Sequence, residues 1–94
     1  MPDEYLFELE NGLSFWCREG TNDQNTTYAC AYEDEYELAD EDVVDKLVFD
    51  VGAYTGGVSV WLASRGARVV AVEPVPDNAD MVRRNAELNG VGDR

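Results

Sequence analysis

The stretch Val48-Phe49-Asp50-Val51-Gly52-Ala53-Tyr54-Thr55-Gly56-Gly57 constrains this chain more than any other. A near-continuous apolar run, Leu47 to Val51, enters a glycine-rich turn and leaves it toward Val58, Trp61 and Leu62, which recur at helical spacing. Such a run is what a parallel strand needs when both of its faces are covered. Gly66 then ends the helix as a C-terminal cap. Val69-Val70-Ala71-Val72 reads as a second buried strand closing at Glu73-Pro74. Asp77 is expected to cap a second helix, with Ala79, Val82 and Ala86 as its inward stripe and Gly90 as its stop. Strand, glycine turn, helix, strand, helix is a βαβα unit, and a right-handed crossover sets its strands side by side in one parallel sheet. The expected fold class is α/β, a partial Rossmann-like fold over residues 46–94.

Residues 1–45 read as a separate acidic extension. Tyr5 to Leu9 and Leu13 to Cys17 flank Glu10-Asn11-Gly12, and an Asn-Gly step between apolar runs predicts a small β-hairpin. Gly20 to Thr27 is polar and turn-rich, and Tyr28, Tyr32 and Tyr36 then fall four apart, on one face of an expected helix. The runs Glu33 to Glu35 and Asp40 to Asp42 read as solvated surface or linker. Trp61 reads as core.

Charge narrows the partners. Residues 1–45 hold fourteen Asp and Glu against Arg18 alone, whereas 46–94 hold six acids against six bases. An acidic front repels phosphate backbones and anionic lipid, so neither nucleic acid nor a membrane surface is an expected partner. The net charge of -13, with Arg outnumbering Lys six to one, suits a protein that stays soluble in high salt, which makes a halophilic origin a working hypothesis. Cys17 and Cys30 form no CxxC pair and the chain has no His, so no metal site is expected and both cysteines read as buried thiols. Met1-Pro2-Asp3-Glu4 lacks the basic start of a secretion leader, and no apolar stretch approaches the roughly 20 residues of a membrane span. A cytoplasmic location is expected.

Ligands of open α/β sheets bind at the carboxyl ends of the strands, which is where the glycine turn lies. A nicotinamide or flavin fingerprint requires GxGxxG, but position 54 is Tyr and the glycines fall at 52, 56 and 57. A P-loop requires Lys where this chain has Val58, and without that cation the phosphates lose their charge partner. The remaining reading uses two carboxylates. Asp50 precedes the turn, and Glu73 lies 21 residues after Gly52, near the offset of about 20 at which an acid meets ribose hydroxyls. Two acids fit a nucleoside without phosphate, and S-adenosylmethionine has a ribose diol, a cationic amino-acid end and a sulfonium that acids tolerate.

Phe49-Asp50-Val51-Gly52-Ala53, Ala71-Val72-Glu73-Pro74 and Arg84-Asn85-Ala86-Glu87-Leu88-Asn89-Gly90 together resemble the FkbM family of S-adenosylmethionine-dependent methyltransferases, over roughly residues 46 to 91. The resemblance implies that Asp50, Gly52, Ala53, Tyr54, Thr55 and Gly56 line the methionine end of the cofactor, that Glu73 holds the ribose hydroxyls and that Pro74 lies beside the adenosine. At position 54 that family usually has Asn where this chain has Tyr. The resemblance also implies O-methylation of a small-molecule or sugar hydroxyl. No residue identifies a catalytic base. Asn85 and Asn89 are expected to cap the end of the second helix locally.

The chain ends near where a third strand is expected, so the acceptor half of the fold is expected to be missing and the chain alone inactive. The first strand would then be an exposed edge available for self-association. The alternative to a cofactor-binding fragment is a non-catalytic binding remnant of the same fold.

Overall fold

The computed structural model describes residues 3–94; Met1 and Pro2, the start read against a leader, lie outside the described residues. Strands β1 (Glu4–Glu8) and β2 (Ser14–Arg18) pair antiparallel, with Leu6 opposite Trp16 and Phe7 opposite Phe15. The expected hairpin is present. Gly12 takes a positive φ of 90° in its turn, and the Asn11 carboxamide accepts from Leu13 N–H at 3.2 Å while donating to Ala31 O at 2.7 Å. Alternation along β2 sends Phe15 and Cys17 into a core shared with Leu9, Ala31 and Val60.

Helix α1 (Asp23–Ala31) starts inside the stretch that reads as a polar turn and ends earlier than the tyrosine spacing predicts. The N–H groups of Tyr32 and Glu33 both donate to Tyr28 O, and Asp34 follows at φ 57°, which turns the chain away. Tyr28 and Tyr32 still stack, with ring centroids 5.1 Å apart, but Tyr36 lies beyond the helix in an irregular loop. That loop is fastened through its backbone. The Asp34 carboxylate accepts from the N–H of Leu38 and Ala39, and the Arg65 guanidinium donates to the carbonyls of Leu38, Ala39 and Glu41.

The expected βαβα unit follows: β3 (Leu47–Val51), α2 (Gly57–Ser64), β4 (Arg68–Val72) and α3 (Pro76–Leu88). β3 and β4 run parallel in register, Leu47 beside Arg68 through Val51 beside Val72. Val48 and Val69 face Val43, Leu62 and Ala67, so one face of this pair is packed. The other carries Leu47, Phe49, Val51, Val70 and Val72, and it is exposed, Phe49 at 63% and Val51 at 78%. The expectation of a strand buried on both faces therefore holds for one.

Helix α3 departs from its sequence reading in two ways. Val75, not Asp77, is the N-cap, because Pro76 lacks an N–H and fits best in the first turn, where that donor would have no intrahelical partner. Of the two asparagines expected to cap the helix end, Asn89 does so, its amide donating to Asn85 O at 2.8 Å, but both side chains also reach beyond the helix. Asn85 is fully buried; its Oδ1 accepts from Trp16 N–H at 2.6 Å and its amide donates to Thr55 O at 2.9 Å. Asn89 accepts from Ser14 N–H and donates to Ser14 O, at 2.9 and 2.6 Å. Side chains one helical turn apart thus meet backbone groups two residues apart, and α3 pairs with the outer edge of β2 through carboxamides. Met81 and Asn85 form the centre of the inward stripe, with Ala79, Val82 and Ala86 half-buried beside them.

Among the described residues no helix is long and apolar enough to cross a membrane.

Candidate functional site

The site lies where β3 ends. The N–H groups of Gly52 and Ala53 both donate to Val72 O, at 2.8 and 3.1 Å, which binds the turn to the end of β4. Three alternate positions then take positive φ: Gly52 at 78°, Tyr54 at 56° and Gly56 at 97°. The two glycines serve different ends. A Cβ on Gly52 would meet nothing within 4 Å, so what that glycine provides is a left-handed backbone and an open approach. A Cβ on Gly56 would sit 3.3 Å from Val82 Cα, so this glycine lets α3 close against the start of α2.

Beside the turn is a cavity of about 390 Å³. Asp50, Gly52, Ala53, Tyr54 and Thr55 line one wall, and Thr27, Cys30, Tyr36 and Leu38 from the front half line another. Strand alternation puts Asp50 on the α2 face with Val48, where its Oδ2 accepts the Ser59 hydroxyl at 2.6 Å. A carboxylate keeps further acceptor capacity beyond one such bond. No Lys or Arg lines the cavity, so its chemistry suits a cationic or neutral guest rather than a phosphate.

Glu73 is half-buried at the end of β4. Its Oε1 accepts from Tyr54 N–H at 2.7 Å and its Oε2 from Val75 N–H at 3.1 Å, so one side chain joins the glycine turn to the start of α3. Of the residues singled out in the sequence, Asp50 and Gly52 to Thr55 share the cavity, and Glu73 reaches them through Tyr54. Gly56 is buried behind the turn and Pro74 is exposed beyond it.

The sequence reading missed the front half's contribution. Asp23, fully buried at the start of α1, accepts from Arg18 Nε at 2.7 Å, Arg18 Nη2 at 3.0 Å, Arg18 backbone N–H at 3.0 Å and the Tyr54 hydroxyl. Burial alone would raise the Asp23 pKa, but these donors outweigh it and hold the carboxyl below its ordinary range. The available signal was Arg18, the one base among fourteen acids.

Cys17 and Cys30 are free and buried, as expected. Burial, with Asp23 near Cys17 and Glu35 and Asp50 near Cys30, pushes both thiols up to about 11, so both stay protonated at neutral pH. Among the described residues no group of His, Cys, Asp and Glu could hold a metal ion.

No family model matches the sequence. Among curated proteins, the chain is 32% identical over 95 residues to a ribosomal protein L11 methyltransferase of Desulfitobacterium hafniense, covering 100% of this chain and 28% of that one. It is 36% identical over 93 residues to the ribosomal protein L11 methyltransferase of Acinetobacter baumannii, covering 98% and 28%. A shorter match, 43% over 49 residues, is to a release factor glutamine methyltransferase of Chlorobaculum tepidum, covering 50% and 17%. These relatives are methyltransferases. The chain spans little more than a quarter of the length of the ribosomal protein L11 methyltransferases it matches. The comparisons support the methyltransferase part of the resemblance but not the FkbM family. They overturn the small-molecule acceptor: the relatives are named for a ribosomal protein and a release factor, both of them proteins.

Proposed function

We propose that this chain is the cofactor-binding portion of a Rossmann-like, S-adenosylmethionine-dependent methyltransferase that modifies a protein. The observation that carries the reading is the cation-free cavity at the carboxyl end of β3, with Asp50 in its wall and an open Gly52 at its mouth. Its volume lies within the range of small-molecule sites. Methyltransferases generally draw their methyl group from S-adenosylmethionine, whose sulfonium supplies an activated methyl for in-line displacement. In this reading Asp50 receives the ammonium end, Glu73 accepts from the ribose hydroxyls with the lone pairs its backbone bonds leave free, and the turn from Gly52 to Thr55 presents backbone between them. Gly56 sets the turn from behind, and Pro74 borders the adenosine. The chain's part in the reaction is orientation: it fixes the donor so that a nucleophile can approach along the line of the breaking bond. The printed names of the relatives support a protein acceptor. Two free buried thiols suit a reducing compartment, which supports the cytoplasm.

The test is calorimetric titration of the chain with S-adenosylhomocysteine, beside NADH and a Glu73→Ala variant. Selective binding that weakens at least about tenfold in the variant is the expected result, since a hydrogen bond to a charged group is at stake. Absence of binding by a chain shown to be folded would overturn the proposal.

A further inference from the structure

Tyr54 stands where two constraints meet. Its φ of 56° lies in the left-handed region, which a bulky side chain adopts only when its surroundings enforce it. Its N–H is also the donor to Glu73 Oε1, at 2.7 Å, and shares the placing of that carboxylate with the Val75 N–H, 3.1 Å from Oε2. The enforcing contacts come from the front half of the chain. The Tyr54 hydroxyl donates to Asp23, and the Arg18 guanidinium lies 5.8 Å from the Tyr54 ring centre. Asp23 cannot follow the tyrosine outward, because it is fully buried and bound three times by Arg18. Arg18 is anchored in turn, donating to Asn78 Oδ1 at 2.8 Å in the first turn of α3.

We propose that Arg18, Asp23 and Tyr54 are positioning residues: through them β2 and α1 hold the glycine turn in its binding conformation and aim the Glu73 carboxylate. The inference rests on the turn being a nucleoside-binding site, as proposed above. Released from Asp23, Tyr54 relaxes toward negative φ, its N–H swings away from Glu73, and the carboxylate keeps only its Val75 anchor. Tyr at a position that demands left-handed backbone is then no defect, because the hydroxyl supplies from a distance what a glycine would supply by freedom.

The test uses the whole chain and its Tyr54→Phe, Asp23→Asn and doubly substituted forms, with two readouts. Amide hydrogen exchange at residue 54 reports on the turn without any ligand, and titration with S-adenosylhomocysteine reports on the site. Tyr54→Phe is expected to lose protection at that amide and to weaken binding about tenfold, while near-ultraviolet circular dichroism shows a folded chain. The double variant should be little worse than either single one, as for two members of one relay. Unchanged exchange at residue 54 in folded Tyr54→Phe would overturn the positioning role, and so would lost protection with unchanged affinity. If the unsubstituted chain does not bind S-adenosylhomocysteine, the cofactor reading falls, and the exchange experiment still decides whether Asp23 holds the turn. Should Tyr54→Phe fail to fold, the same two readouts on Asp23→Asn decide, since a neutral carboxamide weakens the hold on the phenol while Tyr54 stays in place; unchanged exchange at residue 54 there overturns the positioning role.

Discussion

Asp23 shows how a single buried charge can tie remote parts of a chain. Its carboxylate is removed from water, a cost that only multiple donors offset, and Arg18 and Tyr54 provide them. Because those donors hold the folded-state pKa below the ordinary value of 3.8, the unfolded chain binds the proton first. The stabilisation is therefore fully present above the ordinary carboxyl range and is lost as pH falls through the depressed folded value. Urea midpoints measured from pH 7 downward should fall more steeply below about pH 4 in the unsubstituted chain than in Asp23→Asn. Equal slopes would mean that folding leaves the proton affinity of the Asp23 carboxyl unchanged, so that its donors do not outweigh its burial. At this scale the sequence was legible where a residue's role depends on its neighbours in the chain. The pattern from Asp50 to Gly57 announces a glycine turn between strand and helix, because all three are adjacent in sequence. Asp23 was illegible, because its partners Arg18 and Tyr54 become neighbours only after the hairpin and α1 fold onto the turn.

Elements repeat the lesson with different chemistry. The strands and helices of the βαβα unit and the hairpin could be read from periodicity and turn residues, since both are local signals. The span of α1 could not. Three tyrosines at helical spacing suggested continuation to Tyr36, whereas Asp34 leaves the helix and uses its carboxylate to organise the loop. The contact between α3 and β2 was equally hidden, since Asn85 and Asn89 have no local pattern that distinguishes them from capping residues. That contact carries weight, because Asn85 satisfies both the Trp16 N–H and Thr55 O, groups that otherwise lie unpaired in or near the core. Asn85→Leu keeps the volume but orphans both, and should cost about 2–4 kcal/mol in urea unfolding. An effect below about 0.5 kcal/mol would show that water replaces the carboxamide at no loss.

For the whole molecule, charge and apolar surface pull in opposite directions. A net charge of -13 on 94 residues opposes compaction by self-repulsion. Raising salt shortens the Debye length from about 10 Å at 0.1 M to about 3 Å at 1 M and removes most of that penalty. The thermal midpoint should accordingly rise with sodium chloride across this range, and a midpoint that stays level would mean that the acids are too well dispersed to repel. The exposed face of Leu47, Phe49, Val51, Val70 and Val72 is the opposite feature, an apolar surface larger than scattered single residues would give.

The clamp made by Arg65 bears on how an acidic surface can arise. It holds the acidic loop by the carbonyls of Leu38, Ala39 and Glu41, and a carbonyl is the same whatever side chain its residue carries. Substitution at Ala39 and Glu41 is thereby uncoupled from the loop's docking, whereas Asp34, whose carboxylate organises the loop, and Leu38, whose side chain packs on the core, are not free in this way. Mutations at those two positions can add or remove acids under selection for environment alone, while the wall that Leu38 contributes to the cavity stays in place.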